Sequence, residues 1–273
     1  MHLLLVTLTL LAAAPKTPAA DEPKTGDRRE AFYHFSLGIQ ARLAGDGETA
    51  LTELRRAQKL DPASAAIHAA TAKLLRDLGK GPEALAEARE AVRVDATSVE
   101  SHMILGDIYQ RQASAGDTSQ LALAAAEYEA VYQLDPTELD AVLLMASIYG
   151  QLEEHKKAAA AWERYAAVVP STEAYVKIGS HYLAAGDHDA AAKALQKAVD
   201  LQPNSARAYQ ALAEVYDRAD QADSAVLYYR KALEIAPSDL RVRLSLGDVL
   251  LRGKRLDEAL SCLLYTSPSP RDS

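Results

Sequence analysis

The chain has almost no cysteine: one residue, Cys262, in 273. That excludes an intramolecular disulfide and any zinc or iron–sulfur site built on several thiolates. Helix breakers are scarce too. Thirteen glycines and eleven prolines stand against 54 alanines, which excludes collagen-like and disordered classes and favours helix. Positive charge is not in excess, since 30 Lys and Arg face 38 Asp and Glu for a net charge of −8. Neutralising a phosphate backbone needs the opposite balance, so no nucleic-acid partner is expected. The most apolar stretch, Leu3 to Ala14, is about twelve residues against the roughly twenty that cross a bilayer, so no transmembrane segment is expected in the mature chain. Local catalytic signatures are missing as well: no Gly-rich dinucleotide loop, GxxxxGKS/T, HExxH, CxxC or GxSxG occurs. The sequence therefore predicts a non-enzyme with no cofactor and no metal.

What is present begins with that N-terminal stretch. Its length suits the apolar region of a secretory signal, and the small residues Thr17 and Ala19 place a cleavage site near residue 20. We expect a signal peptide over 1–20 and a linker over 21–29. The chain would then be secreted or periplasmic, and cytoplasmic if the segment is not a signal. High alanine content and the absence of a glycosylation sequon at Asn204 fit a bacterial origin. At the other end the helical pattern breaks, and Cys262 to Asp272 carry the residues that the reverse complement of a transposase adapter used in DNA library preparation would encode. Residues 261–273 are accordingly expected to be a non-native tail, with the natural frame running on from near Leu260 or Ser261.

Between the ends the chain repeats. A shift of 34 residues superposes Leu37-Gly38 on Thr71-Ala72 and on Leu105-Gly106, and Ala50 on Ala84. A period of this size signals a solenoid of stacked supersecondary units. The spacing of large, small, aromatic, alanine and proline residues resembles the tetratricopeptide repeat family. The sixth copy shows it most fully, with Tyr209, Leu212, Ala213, Tyr216, Ala225, Tyr229, Ala232 and Pro237. Six full copies and half of a seventh cover residues 30–260. The resemblance implies an all-α, right-handed superhelical solenoid of helix-turn-helix repeats.

The pattern also has a physical reading. A small residue recurs at the eighth position of each copy (Gly38, Ala72, Gly106, Ala146, Gly179, Ala213, Gly247) and alanine at the twentieth, so paired helices can approach closely. Gly45, Gly79 and Gly186 suit the turn between the helices, and Asp61-Pro62, Asp135-Pro136 and Pro203 end the second helix. Asp27-Arg28-Arg29-Glu30 reads as a capping box for the first helix. The third copy carries six extra residues within Gln112 to Leu121, which either lengthen the turn or extend the helices, and which could touch a ligand.

Three constellations invite a chemical role. His34, His68 and His102 recur every 34 residues, but adjacent helices lie about 8–10 Å apart and cannot bring such residues to one ion. Packing is the expected role. Asp187-His188-Asp189 falls in a turn and lacks the rest of a calcium loop. Lys156-Lys157 and Arg252-Gly253-Lys254-Arg255 read as solvated turns.

The resemblance further implies that the first helices line a concave face, to which positions 2, 5, 9 and 12 contribute. Those positions hold Phe32, Phe35, Ile39 and Arg42; Ala69, Lys73 and Arg76; Met103, Asp107 and Gln110; Leu143 and Ser147; Val176, Ser180 and Leu183; and Arg207, Gln210, Glu214 and Asp217. Of these, Phe35, Ile39, Lys73, Arg76, Met103, Asp107, Gln110, Leu143, Ser147, Val176, Ser180, Gln210 and Glu214 are the expected partner-binding residues. Phe32 and Phe35 could instead pack beneath the N-terminal cap. The Lys and Asn pair with which some members hold a C-terminal carboxylate is missing. The expected function is a scaffold or adaptor that binds a polypeptide segment, with a protein or peptide as partner. The alternatives are the recruiting arm of a larger enzyme whose remaining domain lies beyond Leu260, and self-association through an uncapped last repeat.

Overall fold

A computed structural model describes residues 25–113 and 118–264 of the chain. Among the described residues there are fourteen helices and no strand. They pair as α1 (Thr25–Leu43) with α2 (Gly47–Leu60), α3 (Ala65–Asp77) with α4 (Gly81–Val94), α5 (Val99–Gln112) with α6 (Ser119–Leu134), and α7 (Leu139–Gln151) with α8 (His155–Val168). The series continues with α9 (Thr172–Ala184) and α10 (His188–Leu201), α11 (Ala206–Arg218) and α12 (Ala222–Ile235), and α13 (Leu240–Arg252) and α14 (Leu256–Leu264). Each helix packs on its neighbours in the chain, and first helices of successive repeats also touch at α1–α3, α3–α5 and α9–α11. No pair of second helices makes a comparable contact, which puts the first helices on the inside of the curve.

Small residues set the spacing within each pair. The seven alanines at the twentieth position, from Ala50 to Ala259, are all fully buried. At the eighth position the residue is glycine or alanine in every copy and is paired with the twenty-fourth, with Ala146 and Ala213 standing opposite Trp162 and Tyr229. Glycine stands wherever that partner is leucine, and also opposite Tyr128: a Cβ on Gly38 would fall 2.8 Å from Leu54, one on Gly106 2.8 Å from Tyr128, and one on Gly179 2.5 Å from Leu195. Alanine suffices in the second repeat, where Ala72 faces Ala88.

The turns use one backbone device with two residue types. Gly45, Gly79 and Gly186 have φ of 81°, 73° and 75° as expected. In the other described turns of this kind Glu153, Asp220 and Lys254 take φ of 57°, 58° and 59°. The same bond closes both kinds: the N–H after the left-handed residue reaches back five residues, as in Asp46 to Ala41 and Glu154 to Tyr149, so the hydrogen-bonded cap holds even without glycine.

Both boundaries differ from expectation. α1 starts at Thr25, so residues 25–29 are helix where a linker was expected. Asp27 lies in its first turn rather than at the cap, where its charge still complements the helix dipole. α14 runs through Ser261 and Cys262 to Leu264 without the expected break, because Leu263 occupies the twenty-fourth position and packs 2.8 Å from where a Cβ on Gly247 would lie. The six extra residues of the third repeat divide between both expected outcomes. Three enter the α5–α6 connection, one lengthens α5 and two lengthen α6 relative to the α7–α8 pair. The expected signal peptide, residues 265–273 of the expected tail and residues 114–117 of the insertion lie outside the described residues.

Candidate protein-interaction face

The face built by the first helices has three electrostatic zones. In repeats 1 to 3 its charges pair with one another across the stack. Arg42 lies 3.7 Å from Asp77, Asp77 2.8 Å from Arg76, Arg76 2.5 Å from Asp107, and Asp107 3.0 Å from Arg111. Lys73 pairs with Glu100 at 2.6 Å. Gln110 accepts a hydrogen bond from the Tyr128 hydroxyl at 3.2 Å. Repeats 6 and 7 repeat the theme: Glu214 pairs with Arg218 at 3.2 Å, and Arg252 bridges Asp217 at 2.5 Å and Asp248 at 3.1 Å. Between these ends, the fifth, ninth and twelfth positions of repeats 4 and 5 offer Leu143, Ser147, Gly150, Ser180 and Leu183, with no charge among them and with both serines exposed, while the second positions hold the exposed carboxylates Asp140 and Glu173.

The thirteen expected binding residues do not all reach this face equally. Phe35, Ile39 and Met103 are half-buried and packed against the core, leaving one edge each for a ligand. Ser147 and Ser180 are exposed, while Leu143, Gln210 and Glu214 are half-buried. Ser180 and Glu214 come together with Leu183 and Arg218 around a depression of about 200 Å³ between α9 and α11. Val176 is a correction. It is only 4% exposed and packs with Ala191, Leu195, Leu212 and Val215, because α11 approaches α9 closely enough to cover the fifth position. Phe32 and Phe35 part company: Phe32 is 69% exposed, whereas Phe35 packs beside Ala31, Ala57 and Ile67.

The histidine series has a different role from ligation. Nδ1 of His34, His68 and His102 lies 2.6, 2.7 and 2.6 Å from Glu53, Glu87 and Glu127 of the paired second helix. Nε2 of His68 and His102 lies 3.1 Å from the Pro62 and Ala96 carbonyls, six residues upstream. Arg243 fills the same position in repeat 7 and donates to the Pro237 carbonyl, again six residues back. The series therefore ties the inter-repeat turn to the hairpin. Among the described residues no group of three or more His, Cys, Asp or Glu could hold a metal ion. Asp187 caps α10 by accepting from the Ala190 N–H at 3.1 Å, and Lys157, Arg252 and Arg255 are all ion-paired.

Two of the histidines respond oppositely to pH. The hydrogen bond to Glu87, opposed by burial and aided by the Pro62 carbonyl, holds His68 above the usual imidazole range. Its stabilisation is complete below about pH 6.5 and disappears as pH rises through the raised value. His181 sits 3.5 Å, Nδ1 to Nδ1, from His155. Burial, then the charge of His155 and then Lys177 push it below that range, so its contribution exists above about pH 6.5 and is lost as pH falls through the lowered value. In urea titrations, His68→Gln should cost more at about pH 6 than at about pH 8.5. His181→Gln should improve relative to the unmodified protein as pH falls. Equal costs at both pH values would remove this assignment. The His155–His181 pair, on α8 and α9, carried no signal in the repeat pattern, because the two residues occupy different repeat positions.

A tetratricopeptide repeat model matches residues 35–99, 69–138 and 211–267, and a second model of the same description matches residues 170–238. These segments cover more than half of the chain, which belongs to the tetratricopeptide repeat family, an all-α right-handed solenoid of helix-turn-helix repeats that generally serves as a non-catalytic interaction scaffold. No curated protein matches the chain. Among solved structures, that of Naa15/Naa10 bound to HypK-THB is similar with a TM-score of 0.72 at 17% identity, over 89% of this chain and 37% of that one. The crystal structure of YrrB, a TPR protein with an unusual peptide-binding site, gives a TM-score of 0.51 at 19% identity over 74% of this chain and 98% of that one. A tetratricopeptide repeat protein from Parabacteroides merdae gives 0.50 at 15% identity over 89% and 97%. At these identities the likeness concerns the fold. Among the described residues no helix is long and apolar enough to cross a membrane.

Proposed function

We propose that the chain is a non-catalytic adaptor that lays a polypeptide segment along the concave face, centred on the neutral fifth, ninth and twelfth positions of repeats 4 and 5, with Asp140 and Glu173 at their edge. The observation that carries this reading is the zoning itself. Leu143, Leu183 and the two exposed serines offer apolar contact and neutral hydrogen bonding, and self-paired charges bound them on both sides. Exposed ion pairs of this kind contribute about 0–1 kcal/mol each, so a ligand's own charges can displace one partner at little cost and set register there. A photoreactive side chain placed at Ser147 or Ser180 should give discrete adducts in cells of the source organism, and one at Arg93 on α4 should give none. With the photoreactive side chain kept in place, Leu143→Glu with Leu183→Glu should abolish the adducts without loss of helicity. Adducts that arise equally from Arg93 would refute the concave assignment.

The proposed setting is the bacterial cell envelope, on the strength of the apolar stretch Leu3–Ala14 and the small residues that follow it. Replacing Leu8 and Leu10 with arginine should move the protein from the exported to the cytoplasmic fraction and raise its apparent mass by about two kilodaltons, the size of an uncleaved leader of roughly twenty residues. Unchanged fractionation and mass would exclude export by this segment.

A further inference from the structure

The interface between repeats 4 and 5 holds a half-open cleft of about 630 Å³, and the neighbouring repeat shows what shape fits it. In repeat 6 the ring of Tyr228 is held between two others. It stacks on Tyr216 at 5.3 Å and 8°, and on Tyr209 at 6.3 Å and 20°. Lys231 lies over two of the rings, 5.6 Å from Tyr209 and 5.4 Å from Tyr228. Repeat 5 has every outer part of this arrangement at the same repeat positions: Tyr175 for Tyr209, Tyr182 for Tyr216, and Lys197 for Lys231, with Lys197 again 5.5 Å from the Tyr175 ring. Only the middle ring differs, because Ala194 stands where repeat 6 has Tyr228.

The preceding second helix widens the same space. The residue facing it is Gln58 between repeats 1 and 2, Val92 between 2 and 3, Tyr132 between 3 and 4, and Val199 between 5 and 6, but Ala166 between repeats 4 and 5. Alanine therefore lines both sides, above a floor that includes Ile178. Between repeats 1 and 2 the corresponding slot is closed by His68, Glu87 and Gln58 hydrogen-bonded together. The slot uses Tyr175, Ile178 and Tyr182, which at 100° per residue lie on a different face of α9 from Ser180 and Leu183. It is thus independent of the concave face.

We infer that this slot receives an aromatic side chain of a partner polypeptide, inserted between Tyr175 and Tyr182 beneath Lys197, with an acidic residue beside it. Apolar walls and flat rings select an aromatic group, and a lysine ammonium over the stack adds cation–π attraction. The charge at the mouth selects its neighbours. Among the described residues neither Lys193 nor Lys197 has a carboxylate within ion-pair distance, whereas the one carboxylate at the rim, Glu163, already accepts the Tyr182 hydroxyl at 3.0 Å. A peptide passing over the exposed surfaces of α8 and α10 can place an acidic side chain at either lysine.

The test uses the full chain and three probes: the capped peptides Glu-Tyr-Glu and Glu-Ala-Glu, and p-cresol. Binding is followed by amide NMR shifts and by the fluorescence of Trp162, the chain's single tryptophan, which packs in the cluster holding Tyr175 and Tyr182. At about millimolar probe, the range expected for so small a ligand, Glu-Tyr-Glu should shift amides of α8, α9 and α10, and Glu-Ala-Glu should bind at least about tenfold more weakly. Ala194→Tyr should supply the ring internally, raise the thermal midpoint and abolish binding. Tyr228→Ala should open a second slot and raise the stoichiometry from one to two, which tests the inference even if the first variant misfolds. Shifts confined to other helices, equal binding of Glu-Ala-Glu, or unchanged stoichiometry in Tyr228→Ala would overturn it. Binding of p-cresol as tight as that of Glu-Tyr-Glu would also overturn it, by showing a small-molecule site without a role for acidic neighbours.

Discussion

Tyr128→Ala should lower the unfolding free energy by about 3–5 kcal/mol, the range for removing a large aromatic side chain from a filled core. Tyr128 is 1% exposed, lies against Gly106 across the α5–α6 pair, and reaches through the hairpin to Gln110. Nothing nearby can collapse into the space, because Gly106 has no side chain and Ala124 and Ala125 are already buried. Tyr128→Phe keeps the ring and loses one long hydrogen bond, so about 1 kcal/mol is expected. Urea denaturation distinguishes the two, and hydrogen exchange should show the loss concentrated in α5 and α6, since solenoid repeats share stability only with their neighbours. The phenol also makes an alkaline prediction. Burial, with a smaller contribution from Asp107, pushes Tyr128 up to about 12, so its stabilisation is complete below about pH 10 and is lost as pH rises through that value. Tyr128→Phe should therefore resist alkaline unfolding better than its neutral-pH stability suggests.

The second large effect is of the opposite kind. Gly179→Val should destabilise by about 1–3 kcal/mol through overpacking, since even a Cβ there would stand 2.5 Å from Leu195 Cγ. The cost should fall in the presence of Leu195→Ala, because the second repeat already works with Ala72 opposite Ala88. A double-mutant cycle by thermal denaturation measures that coupling, and strict additivity would show that the eighth and twenty-fourth positions do not share one space.

The periodic part of the architecture was legible in the sequence because it rests on residues whose size or backbone freedom is decisive. Gly38, Gly106 and Gly179 announce a close approach, and Ala50 to Ala259 mark one buried line. Legibility failed where a neighbour decides the outcome. Val176 sits at a position that is half-exposed in Phe35, Met103, Leu143 and Gln210, yet α11 covers it, and Ala69 at the same position is buried too. Lys73, Arg76 and Asp107 were readable as groove residues, but their mutual pairing depends on side-chain reach across repeats rather than on spacing within one. Glu153, Asp220 and Lys254 adopt the left-handed turn without the glycine that normally signals it, because the five-residue hydrogen bond is shared by all these turns. The helix through Cys262 to Leu264 was hidden by an unusual composition, although Leu263 keeps the register of Leu54 and Leu195.

One distinction among these contacts governs how such an array can be rearranged. The match of Gly179 to Leu195 lies inside a single hairpin, so a transplanted hairpin carries both halves with it. The slot beside Tyr175 takes one wall, Ala166, from the hairpin before. Duplicating residues 172–205 in tandem would leave every internal fit intact, yet it would set Val199 against the second copy's tyrosines and narrow the opening. A recombination event at a repeat boundary would thus preserve folding while rewriting what the boundary can hold.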